Sequence, residues 1–138
     1  MAKPQFRLLQ VNTEGEVLVL TLTESQVEGD AVAQALQGEL LAASSSMGAQ
    51  KIVVDFQNVR YISSVAFGPL LALRRQLNGM GGRLVVCGLN EMVGDIFFKT
   101  KMVNPAGNFA APFEMQPDVP AAVAVLKGPQ APQQASAS

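Results

Sequence analysis

Ser63 and Ser64, in the stretch ISSVAFG between a strand-like run and a helix-like run, are the residues of this 138-residue sequence best placed to do chemistry. A hydroxyl at such a junction can cap a helix, receive a phosphate or attack a substrate. Attack needs a base to take the proton and a carboxylate to orient that base, and the sequence contains no histidine. The G-x-S-x-G elbow is absent, and neither Lys51 nor Lys99 has a spacing that recommends serine–lysine chemistry. For a metal, only carboxylates and one cysteine remain, and Asp30, Asp55, Asp95 and Asp118 are scattered along the chain. The glycines of NGMGGRL lead into a strand, whereas Walker and Rossmann loops open a helix, so they read as a turn. Cys87, inside RLVVCGL, reads as a buried and inert strand position. Catalysis, a metal and a cofactor are therefore not expected, and capping or phosphorylation stays open for the serine pair.

Elements of alternating type must position that pair. EVLVLTLT reads as a largely buried strand, paired with FRLLQV through the turn NTEGE, where Gly15 can take positive φ. From about Val27 to Met47, the positions Val32, Leu36, Leu40, Ala43 and Met47 follow helical spacing, with Ser25 available as cap. KIVVDF is nearly continuous in apolar residues, the pattern of a strand covered on both faces. A helix is expected from Ser64 to Leu77, ending at NGMGG, with Pro69 disturbing its first turns. RLVVCGL is another buried strand, followed by a helix capped by Asn90 with Val93, Ile96 and Phe97 inward. NFAAPFE reads as a short last strand, at an edge because of Pro112, and PDVPAAVAVLK as a terminal helix. The sum is an α/β domain over residues 1–127, a mixed sheet of four to five strands with covering helices. Residues 128–138, GPQAPQQASAS, offer nothing large and apolar to offset the entropy of ordering, and read as a flexible tail.

Charge and hydropathy exclude whole classes of function. The formal net charge of -1, with no basic cluster, lacks the footprint of direct nucleic-acid binding. MAKPQFRLLQ has no unbroken apolar segment, and no apolar run approaches the ~20 residues that cross a bilayer. A cytoplasmic protein without membrane insertion is expected. In α/β sheets the loops leaving the carboxyl ends of strands form the usual functional edge, and ISS lies on one of them.

The segment KIVVDFQNVRYISSVAFGPLLALRRQLNGMGGRLVVCGLNEMVGDIFFKTKM resembles the STAS domain, the fold of bacterial anti-sigma-factor antagonists. The family's pieces occur in order: a strand ending in Asp55 with Val59 after it, I-x-S-x-x-x-G before a helix, a GG turn, the LVVCG strand and a V-x-x-I-F helix. With VLVLTLTESQVEGDAV upstream, the similarity runs from Glu16 to Met102 and on to about Lys127.

The resemblance implies a non-enzymatic switch. Antagonists of this family bind an anti-sigma factor that is also a GHKL-type serine kinase, and so release a sigma factor. Phosphorylation at the start of the helix ends that binding. Aligned without gaps on the family pattern D-S-S/T-G, Ser63 stands at the Asp, Ser64 at the first Ser, Val65 at the phosphoacceptor and Ala66 at the Gly. Val65 has no hydroxyl, so Ser64 or Ser63 becomes the candidate phosphoacceptor. The candidate partner surface comprises Ser63, Ser64, Val65, Ala66, Phe67 and Tyr61, with Glu24 closing the second strand. On the residues alone, each of these has a plainer role as well: a cap for the serines, a core position for Phe67. The family also contains subunits of stressosome-like scaffolds and of ATP-binding-cassette lipid transporters, for which no phosphorylation is required, and, more remotely, domains that resemble small-ligand carriers.

Overall fold

The computed structural model describes residues 6–100, 102 and 113–127. Two strands, β1 (Leu9–Glu14) and β2 (Val17–Leu22), form a hairpin in which Glu14 faces Val17 across the turn. Gly15 sits there at φ 64°, a left-handed conformation that only the absence of a Cβ makes inexpensive. The chain continues through β3 (Gln26–Val27), α1 (Asp30–Met47), β4 (Lys51–Asp55), β5 (Tyr61–Ile62) and a 3₁₀ turn over Ser64–Ala66. It then forms α2 (Phe67–Asn78), β6 (Arg83–Cys87), α3 (Glu91–Lys99), β7 (Glu114–Gln116) and α4 (Val119–Lys127). The five-stranded sheet has the order β1-β2-β4-β6-β7 and is parallel except for β1, while β3 and β5 form a separate parallel pair. This mixed sheet with four helices is the α/β architecture expected from the alternation of periods.

Both faces of the sheet are covered, which explains why its strands read as unbroken apolar runs. Leu18, Leu20, Leu22, Ile52, Val54 and Val86 face one core, completed by Leu36 and Leu40 of α1, Leu70 and Leu73 of α2, and Phe97 of α3. Val17, Val19, Val53, Val85 and Cys87 face the other way, against Ala122 and Leu126 of α4. Register carries this alternation across the sheet, with Leu20 beside Val54 and Val54 beside Val86. One face thus has three helices and the other one.

The structure corrects several local expectations. The first helix starts at Asp30, not near Val27, because Val27 is drawn into pairing with Ile62. Gly29, at φ 88°, then swings the chain into the helix, so Ser25 is not its cap. Instead the Ser25 carbonyl accepts the N–H groups of Arg60 and Tyr61, at 2.7 and 3.2 Å. Met47 ends the helix beyond the cover of the sheet and is 48% exposed. Pro69 is the third residue of α2, where its missing N–H has no intrahelical partner to lose, so it starts the helix without breaking it. Residues 108–112 of the expected last strand, and the expected tail over 128–138, lie outside the described residues.

One buried group stands out energetically. Ser44 of α1 is fully buried, and its hydroxyl has no partner among the described residues. A buried donor without a bond keeps its desolvation cost, so Ser44→Ala is expected to stabilise the protein by about 1 kcal/mol. Thermal unfolding followed by circular dichroism tests this; a lowered midpoint would mean that the hydroxyl contributes a bond after all.

Candidate functional site

At the carboxyl edge of the sheet, backbone hydrogen bonds lash the loops together. After β4, Val59 N–H donates to Phe56 O at 2.9 Å, and Arg60 and Tyr61 reach Ser25 in the loop that follows β2. Asn58 Nδ2 donates to Leu22 O at 3.2 Å, fastening the same two loops a second time. From the third loop, Asn90 Nδ2 donates to Val59 O at 3.2 Å and to Arg60 O at 3.3 Å. Its Oδ1 accepts Val93 N–H at 2.7 Å, so one side chain caps α3, as its position predicts, and also clamps the segment entering β5. The side-chain amides of Asn58 and Asn90 thereby fix where Tyr61 and the serines emerge.

Beneath this edge lies a lock around Asp55, which is 1% exposed. Its carboxylate accepts the Gln57 N–H at 3.0 Å, Gln57 Nε2 at 2.7 Å and Thr21 Oγ1 at 3.3 Å. The Cys87 thiol also points at it, with Sγ at 3.8 Å from Oδ1. Burial first, then the Asp55 carboxylate, pushes the Cys87 pKa up to about 12, so the sulfur is a protonated thiol at neutral pH. Gly88 is required beside it. An added Cβ there would lie 2.6 Å from Asp55 Oδ1, on a backbone with φ 72°. The strand-ending aspartate is thus a structural tie between the β4 and β6 loops.

The serine pair divides into one buried and one exposed hydroxyl. Ser63 N–H donates to Val27 O at 3.0 Å, and Ala66 N–H donates to Ser63 O at 3.0 Å, closing the 3₁₀ turn. Ser63 holds the cap position of that turn, yet its hydroxyl makes no cap bond and is buried without a partner among the described residues. Ala66 occupies the cap position of α2, so neither serine caps the helix. The capping expectation fails because the chain inserts a 3₁₀ turn before the helix, and backbone carbonyls take over. Ser64 is exposed, Val65 half-buried, and Ala66 and Phe67 are buried. Phe67 packs edge-on against Phe97, with ring centroids 5.0 Å apart. Tyr61 is 37% exposed and hangs its N–H on the Ser25 carbonyl, and Glu24, next to Ser25 in sequence, is exposed on the loop before β3.

Tertiary packing adds a wall that the sequence did not assign. Ser64, Val65, Gly68 and Pro69 face Asp30, Ala33, Gln34 and Gln37 of α1 across a shallow open groove. Asp30, Gln34 and Gln37 follow helical spacing and form a recognisable polar row, but nothing local to α1 shows that the row faces Ser64. No lysine or arginine among the described residues lines this groove, and Asp30 is its one charged residue among them. Among the described residues, no group of three His, Cys, Asp or Glu side chains could hold a metal ion. No helix among them is long and apolar enough to cross a membrane.

The order of these elements can be matched to known proteins. A model of the STAS domain family covers residues 9–110. This chain belongs to the STAS domain family. Among curated relatives, BtrV of Bordetella bronchiseptica, by name a candidate anti-sigma factor antagonist, is 35% identical over 71 residues. That stretch is 51% of this chain, and the chain spans only 60% of BtrV. Among solved structures, an anti-sigma factor antagonist from Mycobacterium paratuberculosis superposes with a TM-score of 0.71 at 18% identity, over 86% of this chain and 92% of that one. The antagonist SpoIIAA in its unphosphorylated form gives 0.68 at 16% identity, over 87% and 96%. A stressosome component gives 0.65 at 13% identity, over 88% and 98%. At such identities the superpositions show a shared fold, that of the STAS domain.

Proposed function

We propose that this STAS domain is a non-enzymatic protein-interaction switch in the cytoplasm, which binds an anti-sigma factor of the GHKL kinase type and so frees a sigma factor. The observation that carries the reading is Ser64: the exposed hydroxyl at the start of α2, on a groove whose walls are apolar or neutral except for Asp30. A partner that covers this groove desolvates few charges, and a phosphate on Ser64 changes that at once. It brings about -1.5 to -2 charges to a groove in which no described residue is a cation that could pair with them. The buried Ser63 oxygen is the poorer acceptor, because a kinase would have to unfold the turn to reach it. Val65 lines the same groove, Tyr61 on β5 and Glu24 on the loop before β3 are exposed and are assigned to the outer part of the partner surface, and Ala66 and Phe67 are buried at the start of α2.

The likeness to a stressosome component favours a second reading, a scaffold subunit for which the valine at the family's phosphoacceptor position is no handicap. One reconstitution separates the two. The purified chain is mixed with the GHKL-type anti-sigma factor kinase of its own genome and ATP, and the phosphate is mapped by mass spectrometry. A stable complex without ATP, and phosphate on Ser64 with it, is the expected result. Failure of every such kinase to bind, together with assembly into a large particle with other STAS subunits, would overturn the switch in favour of the scaffold.

A further inference from the structure

Asn90 does more than its place before α3 requires. A helix cap needs one acceptor, which its Oδ1 supplies to Val93 N–H at 2.7 Å, and a serine, threonine or aspartate would serve as well. The Nδ2 group is what only the asparagine brings. Its acceptors, Val59 O at 3.2 Å and Arg60 O at 3.3 Å, are carbonyls with no hydrogen of their own, and Nδ2 has two to give. The N–H groups of the same two peptides, belonging to Arg60 and Tyr61, both donate to Ser25 O, at 2.7 and 3.2 Å. The backbone of Val59–Tyr61 is therefore gripped from two sides, by a carbonyl of the loop after β2 and by a side chain of the loop after β6. Only the second grip can be removed by substitution. Asn58, bonded to Leu22 O at 3.2 Å, fastens the chain just before this segment and leaves the two peptides to Asn90. Beyond Tyr61, Ser63 N–H hangs on Val27 O at 3.0 Å, and the turn that carries Ser64 begins.

We propose that Asn90 is a positioning residue for the partner surface: through its amide hydrogens, and not through its cap, it holds Val59–Tyr61 so that the following turn presents Ser64 ready for binding. This rests on the reading of the Ser64 edge as the partner surface. The gain is preorganisation. A turn already in place spares the partner the cost of ordering it, and where only a fraction of molecules has the competent arrangement, the apparent affinity falls by that fraction. Three loops, those after β2, β4 and β6, are thereby drawn into one unit behind the exposed serine.

Asn90→Asp separates the two tasks, because a carboxylate still accepts Val93 N–H but has no hydrogen for Val59 O and Arg60 O. Amide hydrogen exchange of the full chain, followed by NMR, reads them at different residues. Val93 should stay as protected as in the wild type, whereas Tyr61 and Ser63 should exchange about tenfold faster or more. Affinity for the GHKL-type anti-sigma kinase of the same genome, measured without ATP, should fall about tenfold. Asn90→Ser, a neutral cap with one hydrogen in place of two, should shift both readings in the same direction, which sets the lost donors apart from the added charge. Unchanged exchange at Tyr61 and Ser63 would mean that Asn90 only caps α3, and would overturn the proposal. Faster exchange with undiminished affinity would overturn it as well. If the wild type binds no such kinase, it is the switch reading that falls, and exchange at Tyr61 and Ser63 alone decides whether Asn90 holds the turn.

Discussion

Ser64→Asp is expected to lose most of its affinity for the proposed anti-sigma partner, by about 3 kcal/mol or roughly a hundredfold and more, while Ser64→Ala keeps it. The asymmetry comes from the surroundings. A carboxylate at Ser64 would stand across the groove from Asp30, with Gln34 and Gln37 as neutral neighbours and no basic side chain among the described lining residues. When a partner covers the groove, that charge is desolvated without compensation. In the free protein it costs little: Ser64 is exposed and close to the N-terminal end of α2, where the helix dipole favours a negative charge. Both variants should therefore melt within about 1 kcal/mol of the wild type, because the Ser64 hydroxyl caps neither the turn nor the helix. Titration calorimetry with the partner reads the difference directly. Equal affinities for the aspartate and alanine variants would place the binding surface elsewhere.

The largest loss of stability is expected from Phe97→Ala, at about 3–5 kcal/mol. Phe97 is fully buried and is the hub of an aromatic cluster, edge-on to Phe56 at 5.5 Å, to Phe67 at 5.0 Å and to Phe113 at 6.3 Å. Truncation removes the transfer free energy of a benzyl group, leaves a cavity and breaks edge-to-face contacts worth ~0.5–1.5 kcal/mol each. With total stabilities of ~5–15 kcal/mol typical, the variant should remain folded but marginal. Its effect should also be local. Phe67 is the first residue of α2 and follows directly on the Ser64–Ala66 turn, so losing its support should raise amide exchange over Ser64–Phe67. A loss below about 1.5 kcal/mol in urea denaturation would show that the rings repack around the gap.

Much of this architecture is legible in the residues because period and burial report on each other. An unbroken run such as KIVVDF can be satisfied only where both faces are covered, and β4 lies in the middle of the sheet, between β2 and β6. Asn90 is legible as a cap because its bond to Val93 N–H spans three residues. The family likeness was legible as well, since a set of short pieces in fixed order survives where overall identity does not.

What stayed hidden depends on residues far apart in the chain. Ser25 fits the sequence signature of a helix cap, but pairing of Val27 with Ile62, thirty-five positions away, moves the helix start to Asp30. Local sequence cannot weigh that competition. The serine pair likewise looks uniform in ISSVAFG, and only packing against β3 and α1 buries one hydroxyl and exposes the other. The sequence by itself determined the main strands and helices, the two-faced sheet and the absence of histidine that excludes a serine–histidine relay, but not the short β3–β5 pair or the 3₁₀ turn. Tertiary structure alone decided which side chains share the groove with Ser64, because that is set by contacts between elements, whose free energies no single segment contains.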